Sequence, residues 1–172
     1  MAVTLANCPG CTVLATRADV AGGYSAALVD TGAHRAALVS VSAGGEVGRA
    51  LNVPYGADFP APAGGALPCD SGGRCIVLAS TTEGTAVASA FQLAADGSWS
   101  DVTQDGGLVS STPVARVVDL DGEPGIAVHG GRGDATVWVV YAWGGDGYGV
   151  VGCAPAGPDL DPSALSAEQC PS

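Results

Sequence analysis

The chain contains no lysine. All six of its basic residues are arginines, set against 17 acidic residues, and the formal net charge is −11 over 172 residues. So few cations cannot neutralise a phosphate backbone, which excludes nucleic acid as a partner. Anionic lipid headgroups gain no attraction either. Aromatic residues are scarce at 5%, so a core must be built from small aliphatic side chains. No apolar run approaches the length needed to cross a bilayer as a helix, so direct membrane insertion is not expected. No phosphate-binding loop, dinucleotide fingerprint or Gly-x-Ser-x-Gly elbow is present. The two histidines, His34 and His129, lie far apart in sequence. With no frame for a nucleophile or for paired carboxylates, catalysis is not the expected role.

Glycine is abundant, at 27 residues, and proline adds 11. They punctuate runs of four to eight residues rich in Val, Leu and Ala, a pattern of short strands joined by tight turns. Many of these runs, such as Ala36-Ala-Leu-Val39 and Val137-Trp-Val-Val140, are apolar on both faces. That fits sheets stacked on other sheets. A lysine-free chain dominated by Ala, Gly, Val and Asp also points to a GC-rich bacterial genome, such as that of an actinobacterium.

Six cysteines stand at positions 8, 11, 69, 75, 153 and 170. An even count in a small, loop-rich chain indicates disulfides and an oxidising compartment. Sequence alone leaves 15 pairings open. The preferred set is Cys8–Cys11, Cys69–Cys75 and Cys153–Cys170; a crossed set would tie the N-terminal strand to the C-terminal one. Met1-Ala-Val-Thr-Leu5 has neither the basic start nor the apolar core of a signal peptide. The cysteines nevertheless predict an extracytoplasmic protein, secreted or lipid-anchored, with its export signal outside these residues.

Three segments resemble one another. Asp19-Val-Ala-Gly22, Asp70-Ser-Gly-Gly73 and Asp119-Leu-Asp-Gly122 begin 51 and 49 residues apart, and an apolar run follows each. A period near 50 residues with four strands per period is the size of a propeller blade. The expected fold is all-β, with three four-stranded antiparallel repeats over about residues 12–53, 66–102 and 113–153. An extra strand is expected at Val3–Ala6. The tail, 154–172, is loop-rich, with at most a helical turn or two over Pro162–Gln169.

The stretch Pro113-Val-Ala-Arg-Val-Val-Asp119-Leu-Asp121-Gly122-Glu-Pro-Gly-Ile-Ala-Val128 resembles an FG-GAP or VCBS-type repeat, and Leu14 to Gly22 resembles a degenerate copy. The resemblance implies a β-propeller of a secreted bacterial protein. It also implies a Ca²⁺ loop, with Asp119, Asp121 and Glu123 as its carboxylates. The loop is two residues shorter than the family pattern and lacks its late acidic ligand, whereas Ca²⁺ takes six to eight oxygens. The competing reading is a turn in which Asp bonds local amides. Three blades are fewer than a closed propeller uses. They could close as a three-sheet prism, pair with a second copy into a six-bladed homodimeric ring, or dock on a partner or membrane complex.

Two further motifs carry chemistry. Cys8-Pro-Gly-Cys11 has the spacing of a thiol–disulfide centre, but a strand-like run follows it instead of a helix, which favours a clamped turn. Arg132-Gly-Asp134 spells an integrin-binding tripeptide in an expected hairpin, Gly130–Asp134. Of the late aromatics, alternation puts Trp138 on one face of its strand and Tyr141 and Trp143 on the other. One set is core; the other, with Tyr148, Asp146, Arg132 and Asp134, is the expected binding surface. The expected function is a non-catalytic binding or assembly module of the bacterial cell envelope, contacting a protein or glycan. The alternative is an extracytoplasmic thiol–disulfide protein using Cys8 and Cys11.

Overall fold

The computed structural model describes residues 8–103 and 106–171; the expected strand at Val3–Ala6 lies outside them. Twelve strands form three antiparallel sheets. Sheet A takes β1 (Thr12–Ala21), β2 (Tyr24–Gly32), β3 (Arg35–Val41) and β4 (Val47–Asn52) in chain order. Sheet C does the same with β9 (Ala115–Leu120), β10 (Glu123–Arg132), β11 (Ala135–Trp143) and β12 (Tyr148–Pro155). Sheet B is built from β5 (Arg74–Ser80), β6 (Ala86–Leu93), β7 (Trp99–Asp101) and β8 (Leu108–Val109). Three blade-like, four-stranded repeats are therefore present, as the period near 50 residues predicts.

Sheet B departs from the expected outline. Its outer edge is shared, because β7 pairs with Phe91–Leu93 and β8 with Val87–Ala88. β8 falls between the expected second and third repeats, 66–102 and 113–153. Gly107 makes this pairing geometrically accessible: it sits at φ +87° against β6, where a Cβ would lie 2.7 Å from the Ala88 carbonyl oxygen. On the inner side, the start of the expected second repeat is only a short bridged segment. Cys69 bridges Cys75, and Ile76 N–H donates to Pro68 O at 2.8 Å.

The double-sided apolar strands explain the layering. Sheet B lies between the other two. Cys75, Val77, Phe91 and Leu93 face sheet A, where they pack with Ala15, Ala26, Leu28 and Leu38. Ile76, Ala88 and Ala90 face sheet C and meet Ile126, Val128, Val137 and Val139. Alternation within single strands sends neighbours to opposite cores, so β6 is buried at every position but Gln92. Small side chains let the sheets approach closely. Gly22, in the β1–β2 turn at φ +56°, sits under Ala95 of sheet B; a Cβ there would lie 2.6 Å from the Ala95 Cα.

The tail is a cap. Leu160 and Leu165 pack on Val118, Ala127, Trp138, Val140 and Ala154, the outer face of sheet C. Cys153 and Ser166 exchange two backbone hydrogen bonds of 3.0 Å, and Cys170 is disulfide-bonded to Cys153. Trp138 Nε1 donates to Gly157 O at 3.0 Å, and Arg116 Nη1 to Pro158 O at 2.6 Å. The helical potential over Pro162–Gln169 is realised as two 3₁₀ turns, Pro162–Ala164 and Ala167–Gln169. The tail thus covers the outer face of sheet C.

Candidate functional site: the groove between the first hairpins

Each sheet opens with a hairpin that carries one of the three repeated aspartates: Asp19 near the end of β1, Asp70 in the turn before β5, and Asp119 near the end of β9. In the two later repeats the carboxylate shapes its own turn. Asp70 Oδ1 accepts from Gly72 N–H and Arg74 N–H, both at 2.9 Å, and Asp119 Oδ1 accepts from Gly122 N–H at 2.7 Å. Asp121, next in the last turn, adopts φ +54°, a conformation Asp tolerates better than most residues. In the first repeat Asp19 also has positive φ, +51°, and its amide donates to Ser25 Oγ at 3.2 Å.

The fold brings the three hairpins to one end. Two adjoining hollows of about 340 and 250 Å³ share Arg17, Cys69, Gly122 and Glu123, and so form one groove. Its lips are Arg17 and Asp19 from sheet A, Ser71 from the sheet B loop, and Asp119 and Glu123 from sheet C. Glu123 ties the last two together: its carboxylate accepts from Ser71 N–H at 3.0 and 3.4 Å. The Ser71 hydrogen bonds hold this carboxyl below the usual glutamate range.

Beside the groove lies an ordered polar–aromatic cluster. Arg74 Nε donates to Asp70 Oδ2 at 2.6 Å, and the two side chains are only 14% and 6% exposed. The guanidinium then lies 4.4 Å from the Trp143 ring centroid, a favourable cation–π placement. Trp143 meets Tyr148 edge-on at 5.6 Å. Burial, reinforced by the Asp70 charge, pushes the Tyr148 hydroxyl up to about 12. Asp70 is thus saturated by its own loop and by Arg74; Asp19, Asp119 and Glu123 carry the groove's remaining negative charge.

The expected binding set does not assemble. Trp143, Asp146 and Tyr148 belong to the β11–β12 turn, at the end of sheet C that bears the groove. Arg132 and Asp134 lie at the other end of β11, in the β10–β11 turn, some nine residues or about 30 Å of strand away. That turn is also tighter than expected. β10 continues to Arg132, which pairs with Ala135, leaving only Gly133 and Asp134 in the loop. Trp138 is core, at 1% exposure. Tyr141 and Tyr148 pack against the B–C core, whereas Trp143 lies against Arg74 and Trp138 has the Arg116 guanidinium 5.1 Å from its ring centroid.

Asp119, Asp121 and Glu123 sit together in sequence but do not converge on a point. No group of three or more His, Cys, Asp or Glu side chains among the described residues could hold a metal ion. Asp119 and Glu123 instead accept amide hydrogen bonds, the role of turn acids. The residues missed by sequence reasoning are Arg17, Asp19 and Ser71. Their signal was the repeat itself: equivalent turns of stacked blades must emerge at the same end.

All six cysteines are paired, as Cys8–Cys11, Cys69–Cys75 and Cys153–Cys170. The expected pairing holds, and the crossed alternative does not. Three disulfides in so small an all-β chain fit an oxidising, extracytoplasmic environment. Cys8-Pro9-Gly10-Cys11 is a turn closed by Cys11 N–H donating to Cys8 O at 3.1 Å, and it runs straight into β1. Among the described residues no helix N-terminus stands there to favour a thiolate. No helix among the described residues is long and apolar enough to cross a membrane. The chain matches no protein-family model, no curated protein and no solved structure at a significant level.

Proposed function

We propose that this chain is a non-catalytic extracytoplasmic binding or assembly module of a bacterial cell envelope, secreted or lipid-anchored, that contacts a protein or glycan partner. The observation that carries this reading is the groove: one open, charged surface to which all three sheets contribute. Its supports are rigid. Disulfides anchor sheet B at Cys69–Cys75 and sheet C at Cys153–Cys170, and Ser71–Glu123 hydrogen bonds join the two lips. A preformed surface binds without an ordering cost. The degenerate FG-GAP or VCBS-like character of the turns belongs to the same proposal, as does an actinobacterial source.

Site-specific crosslinking tests it. A photo-crosslinking amino acid replaces Ser71 at the groove, and in a second protein Glu83, which is exposed in the β5–β6 turn at the opposite end. On irradiation of bacterial envelope preparations, a discrete adduct is expected from position 71 and not from 83. Equal, diffuse labelling from both positions refutes the proposal.

A further inference from the structure

Pro68 and Val117, which line the groove, also line a neighbouring small well of about 120 Å³. The well is walled by Leu28 of sheet A, Ile76 and Leu78 of sheet B, Val117 of sheet C, and Pro60 and Pro62 of the proline-rich connector. Every lining side chain is apolar. Its volume is close to the roughly 150 Å³ that accommodates one benzene ring, enough for a single aliphatic or phenyl side chain and too little for an indole. Side chains seated in such pockets are the usual anchors of protein interfaces.

The two parts differ sharply in character. The lips present Asp19, Asp119 and Glu123 against the single cation Arg17, because Asp70 is already neutralised by Arg74. A ligand that spans both must be apolar at one end and cationic at the other. We propose that the groove binds an extended peptide segment of a partner protein, seating one aliphatic or phenyl side chain in the well and a lysine or arginine a few residues away among Asp19, Asp119 and Glu123. The inference rests on the binding-module reading above and names the chemistry of the partner. An acidic or phosphorylated segment is repelled by the same carboxylates, and by the net charge of −11.

The test is selection of a random-sequence peptide display library on the immobilised full chain, followed by fluorescence anisotropy with the selected peptides. Enriched peptides should share an apolar residue followed or preceded closely by Arg or Lys. Binding should weaken at least tenfold between 50 and 500 mM salt. The Asp19→Asn/Asp119→Asn/Glu123→Gln protein, which keeps one acceptor oxygen at each position and removes the charge, should lose at least tenfold in affinity. Val117→Phe, which fills the well, should abolish binding, with circular dichroism confirming its fold. Trp143→Ala should bind normally. No enrichment, or peptides indifferent to both groove variants, overturns the proposal. Peptides or glycans that depend on Trp143 instead would overturn it while leaving the binding-module reading intact.

Discussion

A methyl group added at Gly22 tests whether the sheets are held apart by design of sequence at a single turn. Gly22 and Gly23 are neighbours in the β1–β2 turn, at φ +56° and +81°. Both positions penalise an L side chain, by about 1–2 kcal/mol for the left-handed conformation. Their surroundings differ. A Cβ at Gly23 meets nothing within 4 Å, whereas one at Gly22 would lie 2.6 Å from Ala95 Cα and 2.7 Å from its carbonyl carbon. These are backbone atoms that no side-chain rotation can move. Overpacking of this kind costs a further 1–3 kcal/mol or so. Gly23→Ala should therefore lose about 1–2 kcal/mol and Gly22→Ala about 2–5. With a urea dependence of about 2 kcal/mol/M, the Gly22 midpoint should fall below the Gly23 midpoint by roughly 0.5–1.5 M. Equal midpoints would refute close A–B packing through this turn.

Three other outcomes follow from the geometry. Cys170→Ser opens the Cys153–Cys170 loop, of sequence separation 17, and should cost roughly 2–4 kcal/mol; freed from the tail, Trp138 should show red-shifted emission. Arg74→Ala removes the partner of Asp70 and the cation over Trp143 and should destabilise by about 2–4 kcal/mol, whereas Arg74→Lys should recover less than half, which chemical denaturation would measure. Burial, followed by the Arg116 charge, lowers the His129 pKa, and Nδ1 is bonded to Thr112 Oγ1 at 2.7 Å. The folded state therefore binds this proton less readily than the unfolded chain. The contribution is complete above the unfolded value of about 6.5 and is lost as pH falls through the folded value. Melting temperature should decline over that acid range, and the His129→Gln protein should lack this component.

The blade count, the strand runs of sheets A and C and the disulfide pairs were legible because each rests on local chemistry: turn residues at fixed intervals and cysteines close in sequence. The split edge of sheet B was not, because β8 has only two residues, Leu108 and Val109, and is defined by its partner β6. The tail is loop apart from two short 3₁₀ turns, and nothing in its two leucines announces that they cover Trp138. The two parts of the expected binding set stand apart for a related reason. Residues near one another in sequence on β10–β12 were grouped, although a strand carries its two ends to opposite sides of the molecule. The repeated aspartates, dispersed along the chain, were the residues the fold would gather.

The capped face of sheet C has one more consequence. A pile of sheets with like-minded apolar faces has no intrinsic length; each new layer is offered the same welcome as the last. The 17 residues after Pro155 end this side of the pile, because Leu160 and Leu165 cover its apolar face. A chain cut at Pro155 would leave Val118, Ala127, Val140 and Ala154 of this face without their cover of Leu160 and Leu165.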